Sequence, residues 1–345
     1  MQKKYNNLKS PLANKITAKG DEYLYFGGTA YLGIPQNEKF LQLYLKGLSH
    51  FGLNNGTSRS NNVQLSIYNE VEQYAAIKFG AAAALITSSG YLAAQLTVKN
   101  LTSFGEVSYA PATHPALWYQ NTPKVSGSFT NWATNIVDEI NNSEKENWVI
   151  ISNSMNNLFP EIYDFSFIKL LNKKVLLIID DSHGIGINNE GLGAFKTITS
   201  CANVEVLVIA SMAKALGVDA GIILGTTERI NQLKRSNEFL GASPPAAAGL
   251  FAFMQAEYIY QNELEKLNQS MEIVNQALLK NDDWHFIDNF PVYLSKNAEL
   301  SHQLAAKNIL VSSFPYPDKD GPKINRIVLS SWHTKTDIAY LIKAL

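Results

Sequence analysis

The sequence contains very little cysteine and no excess of charge of either sign. A single cysteine, Cys201, occurs in 345 residues. It can form no internal disulfide and cannot build a thiolate zinc site, which favours a reducing compartment. Lys and Arg number 29 and Asp and Glu 30, for a formal net charge of -1. Because a bulk positive field is lacking, we expect no binding to nucleic acid or to an anionic membrane surface.

Long apolar runs are also lacking. The longest ones, residues 81–86 and 175–179, fall far short of the roughly 20 residues that cross a bilayer. The first twenty residues are rich in lysine and contain no apolar secretory core. We therefore expect a soluble, cytoplasmic protein. Hydrophobic residues make up 46% of the chain, enough for a large core shared by more than one structural unit.

From about residue 37 the sequence alternates helical periodicity with short apolar runs, which predicts an α/β fold with a mainly parallel sheet flanked by helices. The predicted buried strands are 82–87, 106–109, 148–152, 175–180, 204–211 and 220–224. After residue 235, Pro244 and Pro245 introduce a long helical stretch to about residue 280, followed by short strands and helices. We predict an N-terminal arm (1–36), a large α/β domain (37–235) and a smaller C-terminal α+β domain (236–345).

Polar residues collect at the exits of two predicted strands, where open parallel sheets bind their ligands. One strand ends in Asp180 with His183 three residues later, and the next is followed by Lys214 among small residues. Partial desolvation of such a lysine favours the neutral amine, a nucleophile that can form a Schiff base. In the alternative interpretation, Asp180 caps a helix, His183 lies in a turn and Lys214 is an ordinary surface lysine. No further His or Glu lies nearby at ligand spacing, so we predict no metal site.

Two earlier segments offer further polar groups. Ser89, Gly90 and Tyr91 follow a predicted strand and open a helical stretch, where free backbone amides and the helix dipole favour a phosphate. His114 follows the strand 106–109 and precedes a proline, a suitable place for an imidazole that lies flat on a ring. Each feature alone is common in loops.

Together, these residues resemble the α-oxoamine synthases, a family of fold-type I pyridoxal-phosphate enzymes. The similarity covers most of the chain, and the order and spacing of the motifs are more specific than any one of them. The motifs are Tyr-Leu-Gly at 31–33, Gly-Thr-Ser-Arg at 56–59, Ser-Gly-Tyr at 89–91, Asp-Asp-Ser-His-Gly at 180–184, Lys-Ala-Leu-Gly at 214–217 and Pro-Pro at 244–245. The large domain would then bind the cofactor.

The resemblance implies catalytic roles for four residues. Lys214 would hold pyridoxal 5'-phosphate as a Schiff base and later move the proton of the substrate α-carbon. Asp180 would keep the pyridine nitrogen protonated, which makes the ring an electron sink. His183 would hydrogen-bond the phenolic oxygen of the ring, and His114 would stack on the ring face.

The resemblance also implies the binding groups. The amides of Gly90 and Tyr91 and the hydroxyls of Ser89 and Ser211 would hold the phosphate. Arg326 matches the family position whose guanidinium grips the amino-acid carboxylate, a pairing that suits bidentate geometry.

The sequence departs from the family pattern at several positions. Thr29, a candidate substrate-binding residue, stands where an Asn is usual, and Ser182 replaces an Ala. The Ser/Thr cluster that reaches a neighbouring subunit's phosphate is reduced to Ser243 within residues 240–243, and an Asn-rich segment at 152–160 replaces an acidic one. Substrate contacts are therefore expected to differ from those of typical members.

The implied function is an acyltransferase that condenses an α-amino acid with an acyl thioester, as a homodimer with shared active sites. Another pyridoxal-phosphate transferase, of aminotransferase or glycine C-acetyltransferase type, and a catalytically degenerate binding module of the same fold remain alternatives. The Ser-x-x-Lys string at 211–214 also fits penicillin-recognising acyl-serine enzymes, but there it begins a helix, whereas here it leaves a predicted strand. Gly184, Gly186, Gly191 and Gly193 form no dinucleotide motif and indicate a flexible turn.

Overall fold

The structure, a computed structural model, describes residues 5, 7–18, 20–156, 158–198, 201–316 and 320–345. The strands, in chain order, are β1 (Lys15–Ala18), β2 (Asp21–Phe26), β3 (Ala83–Thr87), β4 (Glu106–Tyr109), β5 (Asn147–Asn153), β6 (Met155–Asn156), β7 (Glu161–Ile162), β8 (Lys174–Asp180), β9 (Val204–Ser211), β10 (Gly221–Gly225), β11 (Trp284–His285), β12 (Val292–Ser295), β13 (Ile309–Pro315) and β14 (Lys323–Val328). The α-helices are α1 (Glu38–Phe51), α2 (Ile67–Phe79), α3 (Gly90–Leu101), α4 (Phe129–Asn142), α5 (Thr227–Lys234), α6 (Asn237–Gly241), α7 (Ala247–Gln255), α8 (Glu257–Leu278), α9 (Leu300–Ala305) and α10 (Lys335–Ala344).

The chain divides into two compact units. The larger one comprises Gln42–Asn156 and Ile162–Glu257, and the smaller one comprises Met1–Leu41, Asn157–Glu161 and Tyr258–Leu345. These limits differ from the boundaries predicted at residues 36 and 235. The smaller unit includes the N-terminal segment because β2 pairs in parallel with β13.

The larger unit is built on a six-stranded sheet of order β3-β10-β9-β8-β5-β4. Strands β4, β5, β8 and β9 run parallel to one another, and β10 is antiparallel to both of its neighbours. All six predicted apolar runs are strands of this sheet, so the predicted α/β architecture with a mainly parallel sheet is confirmed. The runs are continuous rather than alternating because the central strands are covered on both faces. Residues 175–179 of β8 are each 1% exposed or less.

The smaller unit contains a second six-stranded sheet of order β1-β2-β13-β14-β12-β11. Every pairing in it is antiparallel except β2 with β13. The predicted N-terminal arm thus contains two strands of this sheet. Its apolar residues Ile16, Tyr23 and Phe26 are buried, since they have a sheet face to cover.

Helix α2 lies in the region after residue 37 where helical periodicity is predicted to alternate with apolar runs. The helical stretch predicted from Pro245 to about residue 280 is in fact two helices, α7 and α8, which meet at Ala256. Within the described residues, no helix has both the length and the hydrophobicity that membrane spanning demands.

A buried ionic cluster joins four segments of the larger unit: the segment that contains Arg59, helix α2, strand β3 and helix α5. The Glu72 carboxylate on α2 accepts from Arg59 Nη1 at 3.0 Å and from Lys234 Nζ at 2.7 Å, and its Oε1 also accepts from the backbone amide of Ile86 in β3 at 3.2 Å. The Arg59 guanidinium lies over the rings of Tyr68 and Phe239, at 4.9 and 5.3 Å from their centroids. The Gly-Thr-Ser-Arg segment at 56–59 is therefore anchored to strand β3 by charge-assisted hydrogen bonds and stacking.

Candidate active site

The exits of β8 and β9 bring together the lysine and the histidine predicted from the sequence. The Lys214 Nζ and the His183 Nε2 are 2.8 Å apart, and both side chains are half-buried. The parallel register pairs Asp180 with Ile209, so the two strands end at the same edge of the sheet. The two polar motifs meet because neighbouring parallel strands deliver their next residues to the same place.

Asp180 and Ser182 fix the backbone at this edge. The Asp180 Oδ1 accepts from the amide of Ser182 at 2.9 Å, and the Asp180 carbonyl accepts from the amide of Ser154 at 2.8 Å. The buried Ser182 Oγ accepts from the amide of Ser211 at 2.8 Å. The serine that departs from the family pattern thus ties the exit of β8 to the end of β9, a bond that an alanine could not make.

The turn between β3 and α3 has the geometry of an anion site. Ser89 is the N-cap of α3, and its Oγ accepts from the amide of Leu92 at 3.1 Å. A Cβ added to Gly90 would lie 2.5 Å from the Cβ of Ser211, so only glycine lets the helix begin against the end of β9. The first amides of a helix have no intrahelical partner and carry the positive end of its dipole. Tyr91 is 66% exposed, and the prediction assigns only its backbone amide to the phosphate.

His114 caps a 3₁₀-helix, Pro115–Leu117, and lies within electrostatic range of the lysine and the carboxylate. Its Nδ1 accepts from the amide of Ala116 at 3.2 Å, which leaves Nε2 as the protonated nitrogen of the neutral ring. Partial desolvation lowers the pKa of His114, the charge of Lys214 lowers it further, and Asp180 opposes the shift. The neutral imidazole that stacking on a ring requires is therefore favoured.

Asn153 is a site residue that the sequence analysis missed. Its Oδ1 accepts from the amide of His114 at 3.1 Å, and its Nδ2 donates to the carbonyl of Ala112 at 2.7 Å. Ala112 has a left-handed φ of 55°, a conformation that costs energy in an alanine and is held here by the amide side chain. The signal in the sequence was the position of Asn153 at the end of a predicted strand, within the segment noted only for being rich in Asn.

Arg326 and Thr29 belong to the smaller unit. Arg326 lies on β14, is 6% exposed, and stacks its guanidinium 5.3 Å from the centroid of the Phe314 ring. Burial lowers the pKa of Arg326, and the nearby Tyr31 and Tyr25 oppose that shift. Thr29 is half-buried in the turn that follows β2. The planar guanidinium of Arg326 has the two-pronged donor geometry that suits a carboxylate.

Asp181, next to the candidate catalytic Asp180, is buried deeply enough to change its titration. Burial raises the pKa of Asp181 to about 7, and Asp180 raises it as well. The nearby Ser154 side chain, the hydrogen bond from the Ala194 amide and the charge of Lys214 oppose the shift. A carboxyl whose pKa is raised in the folded state stabilises the fold at low pH and loses that contribution as the pH rises through the folded pKa.

This shift predicts a difference between the wild type and Asp181→Asn that depends on pH. From about pH 5 to about pH 8, the wild type should lose roughly 2 to 3 kcal/mol of unfolding free energy relative to the variant, whose side chain never ionises. Urea titrations at several pH values would measure the difference. The exposed Asp138→Asn is the control for the loss of one carboxylate, and parallel curves for the wild type and Asp181→Asn would contradict the prediction.

Comparison with known proteins gives the family. The model of aminotransferases of class I and II matches residues 53–345, and the chain belongs to that family. Among its relatives, 8-amino-7-oxononanoate synthase of Buchnera aphidicola is 25% identical over 96% of this chain and 90% of its own length. A putative 8-amino-7-oxononanoate synthase of Methanococcus vannielii is 25% identical over 97% of this chain and 94% of its own length.

Solved structures of the same fold agree with this result. Serine palmitoyltransferase of S. paucimobilis, with a bound PLP-myriocin aldimine, superposes with a TM-score of 0.81 at 14% identity over 98% of this chain and 90% of that one. 8-Amino-7-oxononanoate synthase of Francisella tularensis has a TM-score of 0.72 at 16% identity over 93% and 96% of the two chains. The resemblance to the α-oxoamine synthases is confirmed, and with it a fold-type I, pyridoxal-phosphate-dependent enzyme of acyltransferase type.

The residues at the sheet edge fit this cofactor. The start of α3 packs against Ser211 so closely that Gly90 cannot carry a side chain, which leaves its amide open to a phosphate oxygen. Lys214 and His183 supply an amine and an imidazole, and Asp180 supplies a carboxylate beside them. Within the described ranges, no three His, Cys, Asp or Glu side chains form a group that could hold a metal ion.

Proposed function

We propose that this enzyme joins an α-amino acid to an acyl thioester, with loss of carbon dioxide, to form an α-oxoamine. The activity nearest to it is that of 8-amino-7-oxononanoate synthase, which uses alanine and a pimeloyl thioester in biotin synthesis. The observation that carries the proposal is the 2.8 Å contact between Lys214 and His183 at the strand edge that ends in Asp180. The names of the relatives support the choice of substrates.

Each residue of the site has a task in this reaction. Pyridoxal phosphate, when bound, supplies an electron-accepting ring that stabilises negative charge at the substrate α-carbon. Lys214 Nζ takes the proton from that carbon, and the adjacent His183 keeps the amine oriented through its Nε2. Asp180 would keep the ring nitrogen protonated, because a carboxylate favours the charged form of its partner. His114 would stack on the ring face and limit the motion of the ring.

The anchoring groups come from the helix start and the neighbouring strand. The amides of Gly90 and Tyr91 would hold the phosphate at the positive end of α3. Ser89 already accepts a hydrogen bond from Leu92 through its Oγ, so its hydroxyl proton is free to be donated to a phosphate oxygen. The Ser211 hydroxyl, at the end of β9, makes the second such contact.

Arg326 is proposed to bind the carboxylate of the amino-acid substrate, with Thr29 as a further substrate contact. We expect Arg326→Ala to raise the KM for the amino acid by the equivalent of about 2 to 5 kcal/mol, the cost of losing a desolvated charge pair. The KM for the thioester should change little. Steady-state kinetics with each substrate varied in turn measures both values.

Arg326→Lys tests the geometry, since an ammonium cannot replace a planar two-pronged donor. The exposed Arg235→Ala is the matched control for the loss of a positive charge. An amino-acid KM that stays at the wild-type value in Arg326→Ala would assign the carboxylate to another residue.

A homodimer with shared active sites is part of the proposal. The family pattern assigns residues 240–243 to the phosphate of a neighbouring subunit, and Ser243 is the hydroxyl that this chain retains there. A reduced charged content of 17% is compatible with a large buried interface. Sedimentation of a fully active monomer would contradict it.

One experiment separates the proposed function from its alternatives. The purified protein is loaded with pyridoxal phosphate, reduced with borohydride and digested, and the modified peptide is identified by mass spectrometry. We expect the modification on Lys214. The protein is then supplied with alanine, glycine or serine and with acyl thioesters on CoA or on a carrier protein, and the release of carbon dioxide and free thiol is followed.

The outcomes are distinct. Carbon dioxide and thiol released together support the condensation. Transfer of the amino group to a keto acid without thiol release would favour an aminotransferase, and an acetyl-CoA requirement with glycine would favour a glycine C-acetyltransferase. Failure to retain the cofactor at all would favour a degenerate binding module.

A further inference from the structure

Asp181 is a buried carboxylate that the proposed chemistry does not use. It is 1% exposed, and its backbone amide donates to the carbonyl of Ile209 in β9 at 2.8 Å. Its own carbonyl accepts from the amides of Gly184 and Ile185 at 3.0 and 2.9 Å, which closes the turn that contains His183. Its Oδ2 accepts from the amide of Ala194 at 2.8 Å. Asp181 therefore holds the strand edge, the turn and a segment thirteen residues further on.

At two of the four glycines noted in the sequence, the Asp181 carboxylate fills the space that a side chain would occupy. A Cβ added to Gly184 would lie 2.1 Å from Asp181 Oδ1, and one added to Gly193 would lie 2.2 Å from Oδ2. Gly193 also has a φ of +69°, which favours glycine independently. Residues 184–193 thus form a loop, here called the clamp, that closes around the Asp181 carboxylate. The glycines predict a flexible turn, but the loop is held by several backbone hydrogen bonds.

A third glycine of the clamp, Gly186, packs against the residue that follows Lys214. The amide of Gly186 donates to the carbonyl of Gly191 at 2.9 Å, so the segment is folded back on itself. A Cβ added to Gly186 would lie 2.8 Å from the Cβ of Ala215, the residue after Lys214. Any loosening of the segment therefore changes the packing next to Lys214 as well as the turn that carries His183.

The geometry points to Asp181 as a positioning residue: the carboxylate, held between Gly184 and Gly193, fixes the relative placement of His183 and Lys214. This inference rests on the proposed function only in taking those two residues as the site. Asp181 contacts neither of their reacting atoms by a hydrogen bond, and it acts through the backbone that it organises.

The test compares Asp181→Asn and Asp181→Ala with the exposed control Asp138→Asn, all as full-length protein. Hydrogen exchange at the amides of Gly184, Ile185 and Ala194 is measured first. The Kd for pyridoxal phosphate is then measured by fluorescence after the cofactor has been removed and added back. We expect Asp181→Ala to speed exchange at these three amides and to raise the Kd at least about tenfold. Asp181→Asn should fall between it and the wild type, because its amide oxygen can still accept from Ala194.

A residue with a merely structural role would lower the melting temperature and leave the Kd unchanged at temperatures well below it. That result in folded Asp181→Ala, or unchanged amide exchange, would overturn the inference. Because Asp181→Ala can fail to fold, Gly193→Ala gives a second route, since its methyl group pushes on Oδ2 while the carboxylate is retained. It should raise the Kd in the same direction, and a wild-type Kd there would also overturn the inference. The exchange result stands even if no acyl transfer is found, so the two proposals fail separately.

Discussion

Replacing Lys214 with alanine is expected to abolish measurable turnover, the largest effect of any single substitution in this enzyme. The change removes the amine that lies 2.8 Å from His183 Nε2, and with it both the proposed point of cofactor attachment and the group proposed to move the α-proton. A positioned general base alone contributes roughly 10² to 10⁴ in rate. Single-turnover release of thiol from the acyl thioester, with the cofactor in excess, measures what remains.

The variant Lys214→Arg distinguishes the contribution of the positive charge from that of proton transfer. The guanidinium preserves the positive charge near His114 and Asp180 but stays protonated at all accessible pH values, so it cannot take a proton. We expect it to be as inactive as Lys214→Ala. The exposed Lys169→Ala is the matched control and should keep full activity. Turnover of Lys214→Ala at the wild-type rate would end the assignment of Lys214.

Replacing Glu72 with alanine is expected to cause the largest loss of stability. The carboxylate is 5% exposed and pairs with Arg59, which is 6% exposed, and with Lys234. Its removal leaves the Arg59 guanidinium buried without a countercharge, which typically costs about 3 to 5 kcal/mol. The amide of Ile86 in β3 loses its acceptor at the same time.

The matched control is Glu146→Ala, which breaks an ion pair of similar length with Lys173. Its carboxylate is 75% exposed, so the loss should be about 0 to 1 kcal/mol. Urea unfolding followed by far-ultraviolet circular dichroism measures both variants. Glu72→Gln should lie between them, because its amide oxygen can still accept from Ile86. Equal losses of unfolding free energy in Glu72→Ala and Glu146→Ala would refute the view that the cluster stabilises the protein because it is buried.

Much of the larger unit follows from local sequence. The six strands of its sheet are continuous apolar runs. A strand that is buried on both faces can be recognised from its own sequence, whichever strands pair with it. The meeting of Asp180, His183 and Lys214 follows from the same reasoning, since parallel strands deposit their next residues at one edge. Of these side chains, Lys214 and His183 are in direct contact, with 2.8 Å between Nζ and Nε2.

The remaining features depend on partners far away in the chain. Strand β2 finds its partner β13 nearly three hundred residues on, so the first segment reads as an arm in isolation. The Asn153 side chain accepts a hydrogen bond from the backbone amide of His114. Such a bond does not depend on the side chain of its partner, so it produces no recognisable motif in the sequence. Asp181 was visible in the sequence, but its function depends on glycines whose distances to it only the folded turn defines. The pairing of Arg59 with Glu72 is equally silent in the sequence.

The antiparallel strand β10 determines when the two edges of the candidate site can come together. It separates β3, which leads into the phosphate turn, from β9, which leads to Lys214, and Gly221 pairs with Thr87 on one side and with Ser211 on the other. A nascent chain has therefore made the phosphate turn long before the strand that brings it to the lysine exists. Because contacts between distant segments form late in folding, the start of α3 and the end of β9 come together only in the completed sheet. A chain that still lacks β10 has no strand to hold these two edges of the candidate site side by side.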